Sequence, residues 1–139
     1  MLEDLHAEIA RQGGYDDGSG PEPVVSLELF FDGNEDPASI GCNLSDHPGP
    51  ARFYEVLSAM RDRPEVHSVW VGVSEVMDPD DWPFSDHVYV VTTASPTDVG
   101  SWAVALSPNA PGDDWWNGAP PLQQVEVPPD SRLVTLWWD

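Results

Sequence analysis

Apolar and polar positions alternate in several stretches of this chain, and the alternation predicts strands. In VVSLELFF, Val25, Leu27, Leu29 and Phe31 share one parity and Ser26 and Glu28 the other, the period of a half-buried strand. SIGCNL continues the pattern through Ile40, Cys42 and Leu44. The intervening DGNEDPA holds an Asp-Gly pair, so the two runs predict a β-hairpin with a wide acidic tip and Cys42 on the core face. VHSVWVGVSEV sets Val69, Val71 and Val73 opposite Trp70, and HVYVVTT sets Val88 and Val90 opposite Tyr89 and Val91. LQQVEV predicts a short edge strand, and RLVTLWW the strand that ends the domain.

Three stretches follow helical spacing instead. Leu2, Leu5 and Ile9 predict a short amphipathic helix over 2–12. In HPGPARFYEVLSAMRDRP, Pro50 suits a first helical turn and Phe53, Val56, Leu57 and Met60 make one stripe. Arg61 and Arg63 favour the C-terminal end of the dipole, and Pro64 stops the helix. In ASPTDVGSWAVAL, Ser95 is the expected N-cap, Pro96 the first helical residue and Asp98 its capping-box partner. Val99, Trp102, Ala103 and Leu106 form the buried stripe.

The resulting order, ββαββα(β)β, predicts an α+β fold: a mainly antiparallel sheet with two helices on one face. The ferredoxin-like split βαβ arrangement is the nearest pattern. GGYDDGSGPEP reads as a flexible linker, which divides the chain into an N-terminal arm, 1–23, and a single α+β domain, 24–139.

Charge narrows the function classes. Of 139 residues, 25 are Asp or Glu and 5 are Lys or Arg, all of them arginine, for a net charge of -20. Such a surface repels phosphate backbones and anionic lipid, so nucleic-acid and membrane binding are not expected, whereas a basic partner would be attracted. The lone Cys42 leaves no internal disulfide, and the absence of lysine excludes Schiff-base chemistry. The first residues show no signal-peptide pattern and no run reaches membrane-spanning length, so a cytoplasmic location is the expectation.

Two kinds of candidate site stand out. Asp32, Asn34 and Asp36 repeat the 1-3-5 ligand spacing of a calcium loop, but Pro37 and Asn43 occupy the positions where that motif needs Gly and Glu. A looser divalent-cation site would draw on Asp32, Asn34, Glu35 and Asp36, and a plain turn would use the same side chains to cap its own backbone. No cofactor is otherwise expected. The second kind is a repeated arrangement of acids before tryptophan in proline-flanked loops: Asp78, Asp80, Asp81 and Trp82, then Asp113, Asp114, Trp115 and Trp116. Carboxylates would steer and pair with cations while the indoles anchor the contact. The aromatic sheet face, with Trp70, Tyr89 and Trp137, is expected to be covered by the 107–130 segment or to pair with a second copy. His6, His47, His67 and His87 show no metal-ligand spacing, and no pair of carboxylates is singled out for catalysis.

FFDGNEDPASIGCNL and WPFSDHVYV together resemble a family of small, acidic, uncharacterised bacterial domains over about 24–139, and the composition is similar to that of immunity proteins, which plug the active sites of secreted toxins. The resemblance implies no particular functional residue. Three readings follow, in order: a non-enzymatic acidic domain that binds a basic protein in the manner of an immunity inhibitor, a divalent-metal protein or enzyme using the 32–36 loop, and a homo-oligomeric structural domain.

Overall fold

The computed structural model describes residues 1–13, 21–76, 78, 80–116, 118 and 120–139. Its elements are α1 (Leu2–Arg11), β1 (Val24–Val25), α2 (Leu27–Phe31), α3 (Pro50–Arg61), β2 (Val66–Gly72), β3 (His87–Thr92), α4 (Pro96–Trp102) and β4 (Arg132–Trp137). The strands form one four-stranded sheet in the order β1-β2-β3-β4, every neighbour antiparallel. The α+β class is therefore as the sequence predicts. The strand order is a simple meander, without the crossovers of the ferredoxin-like pattern.

Where alternation was strong and flanked by stop signals, strands and helices form as expected. α3 starts at Pro50 and buries Phe53, Leu57 and Met60; α4 starts at Pro96, with the Ser95 hydroxyl accepting from the Asp98 N–H at 3.1 Å. β2 and β3 pair from Gly72↔His87 to Val66↔Thr92.

The first predicted hairpin does not exist. Only Val24 and Val25 are extended, and the residues that follow form helix α2. VVSLELFF satisfies two periods at once. Leu27, Phe30 and Phe31 bury themselves at i, i+3 and i+4, and Ser26 caps the turn by accepting from the Leu29 N–H at 3.2 Å. SIGCNL fails as a strand because Gly41 takes a left-handed φ of 62° and the Leu44 N–H closes a turn onto the Gly41 carbonyl. Cys42 is thereby turned outward and is exposed, not buried. LQQVEV is not a strand either. The outer side of β4 is met by Gly112, which exchanges both backbone hydrogen bonds with Thr135 at 2.9 Å.

All four α-helices contribute to the core on one face of the sheet, rather than two. Leu5 and Ile9 of α1, Phe30 of α2, Leu57 of α3 and Val99 of α4 meet Val69, Val71, Val88, Val90, Val134 and Leu136 there. The residues placed in the arm thus include core positions, and the linker expected at 13–23 lies largely outside the described residues. The Gln12 side chain also completes the free edge of β1: its amide donates to the Val24 carbonyl at 2.8 Å and accepts from the Val24 N–H at 3.0 Å. Both sheet edges are therefore partly covered, which blunts strand-to-strand association. No described helix is long and apolar enough to cross a membrane.

Candidate functional site

The 32–36 loop follows α2 directly, and its side chains serve the chain itself. The buried Asn34 donates to the Phe30 carbonyl at 3.1 Å and the Ser39 hydroxyl at 2.9 Å, while its side-chain oxygen accepts from the Asp36 N–H at 2.9 Å. Asp36 caps the short 3-10 turn Pro37–Ser39 by accepting from the Ala38 N–H at 2.9 Å. Asp32 accepts from the Tyr54 hydroxyl at 2.9 Å, and Glu35 points to solvent. Asn34 thus spends both its amide nitrogen and its oxygen on the loop's own hydrogen bonds. Among the described residues, no three His, Cys, Asp or Glu side chains gather as metal ligands would.

Asp36 instead faces a cleft of about 520 Å³. Its wall joins segments that are distant in sequence: Asp36 and Cys42 from the first loop, Glu75 from the end of the β2 region, and Asp81, Trp82 and Phe84 from the connector before β3. The connector is positioned by its own backbone, since Phe84 and Glu75 exchange hydrogen bonds at 2.8 and 3.2 Å. Asp78 orders its start by accepting from the Asp80 N–H at 2.8 Å, and His6 of α1 meets the Asp81 carbonyl at 2.8 Å. Trp82 is half-buried, with its ring 6.5 Å from that of Phe30. Three carboxylates, Asp36, Glu75 and Asp81, thus stand with Trp82 and Phe84 in the wall of one cleft.

The second acid–tryptophan cluster lies elsewhere. Trp115 and Trp116 fold onto the sheet face opposite the helices, where Trp115 meets Tyr89 edge-on at 4.9 Å and Trp116 stacks on His87 at 4.8 Å. The Trp116 N–H donates to the Tyr89 hydroxyl at 2.9 Å, and Trp137 flanks Trp116 at 5.8 Å. Asp113 and Asp114 remain exposed at the surface of this loop. The chain's own 112–116 segment therefore lies over His87 and Tyr89 on this face, Trp70 of the same face is half-buried, and the two predicted clusters do not form one surface.

Beneath Trp116 lies a constellation that periodicity and spacing did not single out. His87 is fully buried between two carboxylates, Nδ1 being 2.7 Å from Asp86 Oδ1 and Nε2 2.6 Å from Glu22 Oε2. Each ring nitrogen faces a carboxylate oxygen, an arrangement that a doubly protonated, cationic ring satisfies. Burial alone would push the His87 pKa down. The hydrogen bonds and charges of Asp86 and Glu22 outweigh it and hold the pKa above the ordinary histidine value. Burial likewise opposes the charge on Asp86, but hydrogen bonds from His87 and from Ser74, at 2.7 Å, hold its pKa below the usual carboxylate value. Glu22 is closed off as well, its other oxygen accepting from the Tyr89 hydroxyl. The ring fits only because β2 ends in glycine: a Cβ on Gly72 would overlap the imidazole. The visible signal was the neighbouring pair Asp86-His87 with Tyr89 on the same strand parity. Glu22, 65 residues away, carried none.

Comparison with known proteins covers almost the whole chain. Residues 1–136 match the family described as "Uncharacterized protein YfbO family". The protein is also 37% identical over 140 residues to "Uncharacterized protein YfbO" of Escherichia coli (strain K12), a match that spans 99% of this chain and 98% of that one. No solved structure matches significantly. The resemblance to an uncharacterised bacterial family thus holds and extends through α1, and the chain belongs to the YfbO family.

Proposed function

We propose that this protein is a non-enzymatic binding domain that receives a basic segment of a partner protein in the cleft of Asp36, Glu75, Asp81, Trp82 and Phe84. The observation that supports this reading is the cleft's composition: carboxylates from three separate segments stand around two aromatic rings. An arginine or lysine of the partner would lay its stem along Trp82 and Phe84 and present its charge to the acids. Asp78, Asp80, Asp113 and Asp114, all exposed, add to the negative field that speeds encounter, while Trp115 and Trp116 hold the far loop in place. An immunity-like role is the specific form of this proposal, with a cationic toxin as the partner.

Calorimetric titration with an Arg- and Lys-rich peptide tests the reading. Binding that weakens steeply with salt and is lost in an Asp36→Asn, Glu75→Gln, Asp81→Asn variant supports it. Equal binding of the variant, or none by the native chain at low salt, overturns it.

A further inference from the structure

We propose that the Glu22–His87–Asp86 bridge is a proton-operated latch: the charged imidazole clamps the segment entering β1, and α1 with it, onto the sheet, and loss of its proton releases them. The geometry leaves a neutral ring no comfortable arrangement. With one proton gone, one ring nitrogen would point its lone pair at a carboxylate oxygen less than 3 Å away. Asp86 still has Ser74 and partial access to solvent, but Glu22 is 1% exposed and would keep only the Tyr89 hydroxyl. A buried carboxylate stripped of its counter-charge is among the costliest groups a fold can hold.

Among the described residues, no other charged side chain contacts the ring. Glu22 reaches it from the segment before β1, and Asp86 and Tyr89 from the β3 region. β2 offers Gly72, without a side chain, and just beyond it the Ser74 hydroxyl at 3.3 Å from Nδ1. β4 places Trp137 beside His87 in the register, and the 112–116 loop supplies the stacked Trp116. The segment held by Glu22 is also lightly attached. β1 has two residues, supported by the Pro23 carbonyl accepting from the Val73 N–H at 2.9 Å and by the Gln12 clamp. Short edge elements of this kind open at lower free energy than central strands. The Trp116 ring, which loses its cationic neighbour, reports the same event.

The sign follows from linkage. His87 holds its proton more tightly in the closed state, so closure is fully favoured below the ordinary histidine pKa and weakens as pH rises through the raised value. Hydrogen exchange of the whole chain from pH 6 to pH 10, with His87 followed by imidazole NMR, tests it. Protection factors over residues 2–13 and 21–25 should fall about tenfold per pH unit between the ordinary histidine value and the His87 midpoint, then level off. Those of β2 and β3 should hold. Trp fluorescence should change with the same midpoint, and Trp116→Phe should remove most of that change. Glu22→Gln, whose amide tolerates a neutral ring, should flatten the profile, and Asp86→Asn is the substitute if that variant does not fold. Constant protection of the N-terminal segment through the His87 titration overturns the latch, as does loss of protection in β2 and β3 together with it.

Discussion

On the helix side of the sheet, Val69, Val71, Val88, Val90, Val134 and Leu136 meet Leu, Ile, Phe and Met side chains in one apolar cluster. On the other side, the same strands present His87, Tyr89, Thr135 and Trp137, roofed by Trp115 and Trp116 and tied down by Glu22 and Asp86. Both faces bury strand side chains, but by different physics. The apolar face gains from the area it removes from water and tolerates modest changes in shape. The polar face gains little from burying charges and depends on every donor finding its acceptor. Thr135 shows how complete that matching is, its hydroxyl donating to the Asp114 carbonyl at 2.7 Å. Among the described residues, no buried side-chain N or O atom lacks a hydrogen-bond partner. One face resists through bulk, the other through pairing.

The sharpest way to break that contrast is Gly72→Ala. A single methyl group, trivial in most strands, displaces the His87 ring and with it the pairing of Glu22, so we expect a loss of about 5 kcal/mol in urea unfolding. A loss below about 1 kcal/mol would mean that the ring has room to move and that the pairing is not tight. On the apolar face, Phe53→Ala removes a fully buried ring packed edge-on against Trp138 at 5.2 Å and should cost about 4 kcal/mol. Urea unfolding measures that cost as well.

The pH profile of the native chain is the next test. The raised His87 pKa gives stability that is complete below the ordinary histidine value and is lost as pH rises through the folded value. The lowered Asp86 pKa gives stability that is complete above the ordinary carboxylate value and is lost as pH falls through the folded one. Unfolding midpoints should therefore be highest between about pH 4 and pH 6.5 as far as these two groups are concerned. The decline on the alkaline side should shrink in Glu22→Gln. A midpoint unchanged from pH 6 to pH 9.5 would contradict the imidazolium assignment. The smallest effect belongs to Cys42→Ser, at about 0.5 kcal/mol or less, with the native thiol open to labelling by a disulfide reagent. Resistance to labelling in the folded protein would return Cys42 to the core.

How much of this was legible in the sequence differs by element. α3 and α4 carry their own start signals at Pro50 and at Ser95-Pro96, and β2, β3 and β4 are runs of six or seven residues rich in β-branched and aromatic side chains, so local chemistry sufficed. Residues 24–31 fit a strand and a helix equally well by pattern. The choice fell to the helix because Ser26 caps it and Phe30 and Phe31 find room beside Tyr54 and Trp82. Of the expected site residues, Asp36, Asp81 and Trp82 share a cleft that no run of sequence displays, while Trp115 and Trp116 lie against Tyr89 and His87 of the sheet.

By itself the sequence determined the α+β class, most strand and helix positions and the acidic character, because these depend on neighbours a few residues apart or on composition alone. Tertiary structure decided the meander order, the outward turn of Cys42, the cleft and the meeting of Glu22 with His87. Each of these depends on groups brought together across the chain, and their energies exist only once the sheet has formed.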